Sequence, residues 1–503
     1  MELKAILEGT GAELAHGSAR KLDIRQVTQD SRKVEKGDLF VAIPGTSDDG
    51  GKYVEAAVKA GAAAILAEKK FSYDVPCYVV PNVRRALAKA AANFYGNPAK
   101  ELTLLGITGT NGKTTTAWLL EAMCAAGGAT VGLIGTVQHR FAGKVITPTH
   151  TTPDALELHR MFREMVDSEI DTVVMEVSSH ALAQERVHGL TFRAAAFTNL
   201  TRDHLDFHKD QEDYFQQKRR LFTENLSPGG LAVVNGDDTY GARIYNELRG
   251  EKRMAWKFSG RGEGEVSAAN VEFTLNGIKG TLKTPAGDVP LKSQLVGAHN
   301  LENILTAAGL ALGAGYSRRD VQDGIERVKR VPGRMEKVEA RGVTGLVDYA
   351  HTDDALRRAL ESVRPLVKGK VICVFGCGGD RDEGKRPLMG EAAAAGSDLV
   401  IVTSDNPRTE EPDEIISDIT PGVEKAGMRR MSPAKARQGE PGYIVEADRK
   451  AAIALAASLA KEGDVVVVAG KGHEAYQQLG TEKVPFDDVA VLERALSEAR
   501  QEA

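Results

Sequence analysis

Short apolar runs alternate along this chain with longer stretches whose apolar residues recur at helical spacing, the pattern of strands feeding helices. In residues 1–98 the runs at 38–43 and 64–66 bracket a helical stretch at 53–63, which predicts a small α/β domain. After Asn97-Pro98, strand-like runs recur at 104–107, 130–134, 172–175, 194–197 and 231–234 with helical stretches between most of them. That alternation predicts a mostly parallel sheet covered by helices on both faces, with ligands gathering at the carboxyl ends of its strands. Residues 271–275 and 278–283 flank Asn276-Gly277 as a hairpin does, and 304–314 reads as a helix. Val331-Pro332-Gly333-Arg334 reads as a hinge, beyond which runs at 345–349, 371–375, 399–403 and 464–469 predict a second doubly wound, Rossmann-like sheet. The expected domains are 1–98, 99–332 and 333–503, three α/β units.

Length agrees, since 503 residues fill about three domains of ordinary size. A formal net charge of −5 gives no basic footprint for nucleic acid, so an anionic ligand must be held by local loops and a few placed cations. No cationic segment followed by an apolar core opens the chain, and no stretch approaches the ~18 apolar residues of a membrane span, so a cytoplasmic protein without membrane partners is expected. The four cysteines, Cys77, Cys124, Cys373 and Cys377, are too scattered for a disulfide framework and are expected as buried thiols rather than zinc ligands.

The central domain opens on Gly109-Thr110-Asn111-Gly112-Lys113-Thr114-Thr115 between a strand and a helix. Such a loop turns backbone N–H groups and a helix start toward phosphates, with Lys113 for the terminal phosphates and the Thr114 hydroxyl for magnesium. Ile107 stands where the usual spacing has its first glycine. Together these features make the domain P-loop ATPase-like.

Polar clusters follow the other strands. Glu176 ends one strand, where it is either a magnesium ligand or a helix cap, and Ser178 follows it. Residues 201–208 form a dense polar group in which His204 is a candidate metal ligand and His208 is expected at the surface. Lys218, on a helical stretch at 210–226, reads from pattern alone as a surface lysine. Asn300 at a helix start either caps it or reads adenine. In the third domain, Gly378–Asp382, Ser404–Arg408 and Gly470–Glu474 place three polar loops on one sheet edge and so define a pocket.

The variant loop Gly-Thr-Asn-Gly-Lys-Thr resembles that of the Mur ligases and folylpolyglutamate synthetases, ATP-dependent enzymes that form amide bonds. Taken with the other motifs, the chain resembles the Mur ligases along essentially its whole length. The resemblance implies an ATP- and magnesium-dependent ligase, expected as a monomer, that adds meso-diaminopimelate to UDP-N-acetylmuramoyl-L-alanyl-D-glutamate through an acyl phosphate. It implies that Ser31, Gly45, Thr46 and Ser47 hold the uridine nucleotide, while Thr151, Thr152, Ser178, Gln184 and Arg186 hold the muramoyl dipeptide. Residues 109–115 and Asn300 then take ATP, and Thr114, Glu176, His204 and a carbamylated Lys218 take magnesium, with Lys113, His204 and Lys218 in catalytic roles.

The loop Asp405-Asn406-Pro407-Arg408 matches diaminopimelate-adding members, with Arg408 for the far carboxylate, Asp405 holding its guanidinium, Pro407 stiffening the turn, Glu474 beyond Gly470 for the far ammonium, and Arg381 for the other carboxylate. Asp353 stands where the family usually has proline. A folylpolyglutamate synthetase would need a pterin-binding region in place of the Asp30-Ser31-Arg32 domain, and a P-loop motor or switch would leave the three polar loops unexplained.

Overall fold

The computed structural model describes residues 1–18, 21–45 and 49–499. Its first sheet has the order Glu13–His16, Cys77–Val79, Ala64–Ala67, Leu39–Val41, Val27–Thr28, parallel except for the antiparallel edge strand Glu13–His16. Alternation decides which side each residue faces. Leu39, Val41 and Leu66 pack with Val83, Leu87 and Ala90 of the helix Val83–Phe94, whereas Phe40, Ile65 and Ala67 meet Val54 and Ala57 on the other face.

The central sheet has eight strands. Thr103–Thr108, the strand that feeds the glycine loop, lies between Thr172–Glu176 and Phe192–Phe197 and pairs parallel with both. Register therefore brings Glu176 beside Ile107 and Phe197 beside Thr108, so three polar loops leave the sheet side by side. The parallel part ends in an antiparallel hairpin, His139–Phe141 and Lys144–Ile146, that the apolar runs did not predict because its outer strand is mostly exposed. The hairpin expected around Asn276-Gly277 is present as Ser267–Thr274 and Gly277–Lys283, joined by a third strand, Val289–Ser293.

The third sheet has the order Glu336–Ala340, Val343–Asp348, Val465–Ala469, Val371–Phe375, Leu399–Val402, Gly442–Val445, with only the first strand antiparallel. The inner strands are buried along their whole length, as a sheet covered on both faces requires. All four cysteines are buried free thiols, and burial pushes Cys124, Cys373 and Cys377 up to about 12. No helix among the described residues is long and apolar enough to cross a membrane.

Candidate active site

The helix Lys113–Ala126 starts directly from the glycine loop, and Gly109 (φ 147°) and Gly112 (φ 88°) hold backbone that other residues rarely adopt. There is also no room for side chains: a Cβ at Gly109 would lie 1.9 Å from Thr198 Oγ1, and one at Gly112 would lie 2.3 Å from Asn303 Oδ1. The loop is pinned by Asn199, whose carbonyl accepts from Thr110 N–H and whose side-chain oxygen accepts from Asn111 N–H. A cavity of about 200 Å³ lies over this loop, lined by residues 110–115 together with Glu176, His204, Lys218, Asn303 and Arg334.

Several charged groups there are buried without a counterion. Glu176 is 1% exposed, and its carboxylate accepts from the N–H and hydroxyl of Thr136. It forms no ion pair among the described residues, and Ser178 rather than Glu176 caps the next helix. Lys113 folds back to donate to the Gly109 and Thr110 carbonyls. Lys218 contradicts the surface position its pattern suggested. It is 1% exposed, donates to Gly109 O at 2.8 Å and stands over the Tyr214 ring. Burial first, and the Lys113 charge second, drive its pKa well below the usual lysine range.

His204, at φ 55°, packs edge-on to His180 beside Asp203, and burial brings its pKa down to about 3, so it stands neutral. His208 is a correction: it is buried, with Nε2 2.8 Å from Ser179 Oγ and Nδ1 3.4 Å from Asp213.

Asn300 is buried one turn into the helix Ala298–Ala314, where its amide donates to Val296 O and its side-chain oxygen accepts from Asn303. It does not line the cavity, whereas His299, Glu302 and Asn303 of the same turn do. The helix begins at Ala298 rather than 304, with Gly297 (φ 98°) at its N-terminal cap, so Asn300 neither caps the helix nor lines the cavity.

Arg334 was read only as hinge. Its Nη2 donates to the Thr114 hydroxyl at 3.2 Å, its plane covers Tyr349, and its buried Nε has no partner. Asp348, at the end of the strand Val343–Asp348, and His351 also line the cavity, so the third domain closes over the loop. A second link runs from Asn111 Nδ2 to Asp354 Oδ2 at 3.3 Å. Neither carries a local mark, since Arg334 follows a turn and Asp354 lies inside a helix, and each meets a partner more than 200 positions away. Thr352 caps the helix Asp353–Val363, so Asp353 takes the first helical position where proline is also at home, and its charge suits the helix start.

The dipeptide candidates come together. Thr152 Oγ1 donates to Glu176 O and accepts from Ser178 N–H, while Arg186 reaches Thr152 O and the Gln184 side chain. Thr151 lines the cavity and its hydroxyl lies 3.1 Å from that of Thr136. Ser31 opens a short turn capped by Asp30, after the strand Val27–Thr28, and Gly45 follows Pro44, whose carbonyl accepts from Arg84. Thr46 and Ser47 lie outside the described residues.

A second cavity, about 480 Å³, contains Arg381, Asp405, Asn406, Arg408, Gly470 and Glu474. Asp405 does not hold the Arg408 guanidinium. Arg408 donates to Gly379 O at 2.6 Å, while Asp405 faces Lys471 at 4.0 Å. Pro407 is buried behind the wall rather than in it, its carbonyl accepting from Glu410 N–H. Lys471, unread in the sequence, is fully buried and joins Asn406 Oδ1 at 2.9 Å to Glu474 at 3.1 Å.

Family models match almost in series: "Mur ligase family, catalytic domain" over residues 23–95, "Mur ligase middle domain" over 107–311, and "Mur ligase, glutamate ligase domain" over 333–472. This chain belongs to the Mur ligase family. Among its relatives are UDP-N-acetylmuramoyl-L-alanyl-D-glutamate–2,6-diaminopimelate ligases of Geobacter metallireducens, 46% identical and covering 96% of this chain and 97% of the relative, and of Gloeobacter violaceus, 45% identical with 99% of each covered. A solved structure of a ligase of that same description is 32% identical, with TM-score 0.70, covering 99% of this Mur ligase and 98% of its own chain. Folylpolyglutamate synthase of Mycobacterium tuberculosis, solved with ADP and AMPPCP, shares the fold at TM-score 0.62 and 18% identity over 77% of this chain.

The donor set suits magnesium. Glu176 is a buried carboxylate without a cation, the Thr114 hydroxyl stands at the same wall, and no group of three or more His, Cys, Asp or Glu converges among the described residues. A site of that kind takes its remaining oxygens from phosphates and water, as magnesium ordinarily does.

Proposed function

We propose that this Mur ligase uses ATP to join the amino group of meso-diaminopimelate to the side-chain carboxyl of the D-glutamate in UDP-N-acetylmuramoyl-L-alanyl-D-glutamate, forming ADP and phosphate. The observation that carries the reading is the abutting of the two cavities. Asp203, His204, Tyr349 and His351 line both the cavity over the glycine loop and the cavity holding Arg381 and Arg408. A phosphorylated carboxylate formed in the first thus faces an amine held in the second.

In the first step the glutamate carboxylate attacks the γ-phosphorus of ATP and ADP leaves, giving an acyl phosphate. Lys113, Arg334 and the loop N–H groups offset the charge on the moving phosphoryl group, which is the main thing such a reaction asks of a protein. Magnesium, held by Thr114, Glu176, His204 and Lys218, neutralises phosphate charge and orients the oxygens when bound. Lys218 serves as a carbamate: burial beside Lys113 favours its neutral amine, which adds to carbon dioxide with loss of one proton and so becomes an anion. The amine of diaminopimelate then attacks the acyl carbon, and phosphate leaves as the amide forms.

Arg408 and Arg381 suit the two carboxylates of diaminopimelate, and Glu474, steadied by Lys471 and Asn406, suits the far ammonium. Ser31, the turn beginning at Gly45, and the Thr152, Ser178, Gln184 and Arg186 chain serve the UDP-linked substrate. Residues 1–98, 99–332 and 333–503 act as the three working domains of a cytoplasmic monomer, with the hinge at 331–334. Incubating the chain with ATP, magnesium, the UDP-linked dipeptide and either diaminopimelate or lysine, then weighing the product, tests the reading. Release of ADP without a product heavier by one diaminopimelate residue overturns it.

A further inference from the structure

A third cavity, about 470 Å³, lies between the first and central domains, away from both cavities described above. One wall is the helix Val83–Phe94, contributing Arg85, Lys89 and Ala92. The opposite wall comes from His159 of the helix Ala155–Asp167 and from 188–190, and Asn97 and Lys100 complete the rim. No acidic side chain among the described residues lines it.

Arg85 pairs with Glu185 at 3.2 Å, and Glu185 and Glu224 together balance Arg85 and Arg220, so the surplus positive charge of the rim is that of Lys89 and Lys100. The ammonium groups of Lys89 and Lys100 have no ion-pair or hydrogen-bond partner among the described residues. His159 is 3% exposed, and its Nδ1 is buried without a hydrogen-bond partner. Burial and the nearby Lys89 charge bring its pKa down to about 4, so the ring is neutral and offers one N–H. A polar atom buried without a partner is costly, and a native protein keeps few of them. Ala86, Ala88, Ala92, Ala99 and Leu190 give the lining an apolar face, beside the polar Thr10, Asn82 and His188.

We propose that this interdomain cavity binds a small phosphate monoester, whose dianion Lys89, Lys100 and the His159 ring receive while its organic body lies on the alanine face. The volume falls in the range of small-molecule sites. The site is separate from the one suited to the UDP-linked substrate. Arg84, one residue before Arg85 and therefore about 100° around the helix, donates instead to Pro44 O beside Gly45. A ligand here touches both domains at once and ties the helix Val83–Phe94 to the helix Ala155–Asp167.

Phenyl phosphate serves as the probe, titrated by calorimetry into the full chain already saturated with magnesium ADP and the UDP-linked dipeptide, so that the nucleotide sites are filled. The expected result is one equivalent bound by the wild type and at least tenfold weaker binding by two variants. These are Lys89→Met with Lys100→Met, which removes charge, and Ala92→Phe, which fills space and leaves charge alone. Both variants are expected to keep the thermal transition and the ligase activity of the wild type, neither position belonging to the reaction site. Absence of binding to the saturated wild type overturns the proposal. So does a loss confined to one variant, which reduces the effect to surface charge or to apolar contact alone, or equal binding of phenol, which dispenses with the phosphate.

Discussion

The ammonium groups of Lys113 and Lys218 converge on one acceptor, the carbonyl oxygen of Gly109, at 2.9 and 2.8 Å. Two cations this close in a buried site repel strongly, and the better buried of them is the one that gives up its proton. Lys218→Ala is therefore expected to lower kcat on the order of 10³-fold, the scale of losing a charge-stabilising group. Propionate at millimolar concentration should restore part of the rate by returning a carboxylate to the gap. Steady-state kinetics with and without propionate checks this, and full activity of the unrescued variant rules out the carbamate.

Gly112→Ala is expected to weaken ADP binding by about a hundredfold, because the new methyl would sit 2.3 Å from Asn303 Oδ1 and force the loop off its phosphate-facing path. Gly96→Ala isolates the backbone effect, since Gly96 has φ 77° but nothing within 4 Å of a new Cβ. That control should lose only about 1–2 kcal/mol of stability and leave ADP affinity unchanged. Calorimetric titration of ADP into both variants separates the two causes.

Replacing Arg408 should erase the choice between amino acids rather than activity as a whole. Lysine lacks the distal carboxylate and leaves the half-buried guanidinium unpaired, which corresponds to about a hundredfold in kcat/KM for a polar site of this sort. In Arg408→Ala the ratio of diaminopimelate to lysine is expected to fall to within a few-fold of one. A preference retained by the variant assigns specificity to Arg381 or Glu474 instead.

Acid stability carries a signature of buried histidines, of which His139 and His159 line neither of the two reaction cavities. His139 and His159 are 4% and 3% exposed, and burial brings both down to about 4. Between pH 6.5 and 4 the unfolded chain takes up protons at these rings that the folded chain refuses, so stability is whole above pH 6.5 and falls as pH drops through that window. At 1.36 kcal/mol per unit the loss is on the order of 3 kcal/mol for each ring. Urea midpoints at pH 7.5 and 5.0 should differ clearly in the wild type and by a smaller margin in His139→Gln with His159→Gln, part of the difference remaining because burial also lowers His180, His204, His299 and His473.

The sheets and the glycine loop were legible because continuous apolar runs and a strand–loop–helix junction leave local marks. Burial of a charge leaves none. Lys218 sits among Arg219, Arg220 and glutamines on its helix, and only the neighbouring strand ends enclose it, so pattern alone sent it to the surface. His208 failed for the same reason. Arg334 was seen as a turn residue because its partner, Thr114, is 220 positions away in the chain. Asn300 and Asn303 show the converse limit, for a helix reveals which residues share a turn but not which of two amides bonds inward.

The wall shared by the glycine-loop cavity and the Arg408 cavity bears on leakage. Asp203, His204, Tyr349 and His351 line both, and the third domain supplies Tyr349 and His351. An activated carboxylate made behind such a partition meets the incoming amine before it meets bulk water, so hydrolysis loses the race. An open molecule, lacking half the partition and the Arg334 charge, would make little activated carboxylate to waste. Idle turnover of ATP would thereby be suppressed by the same closure that assembles the site.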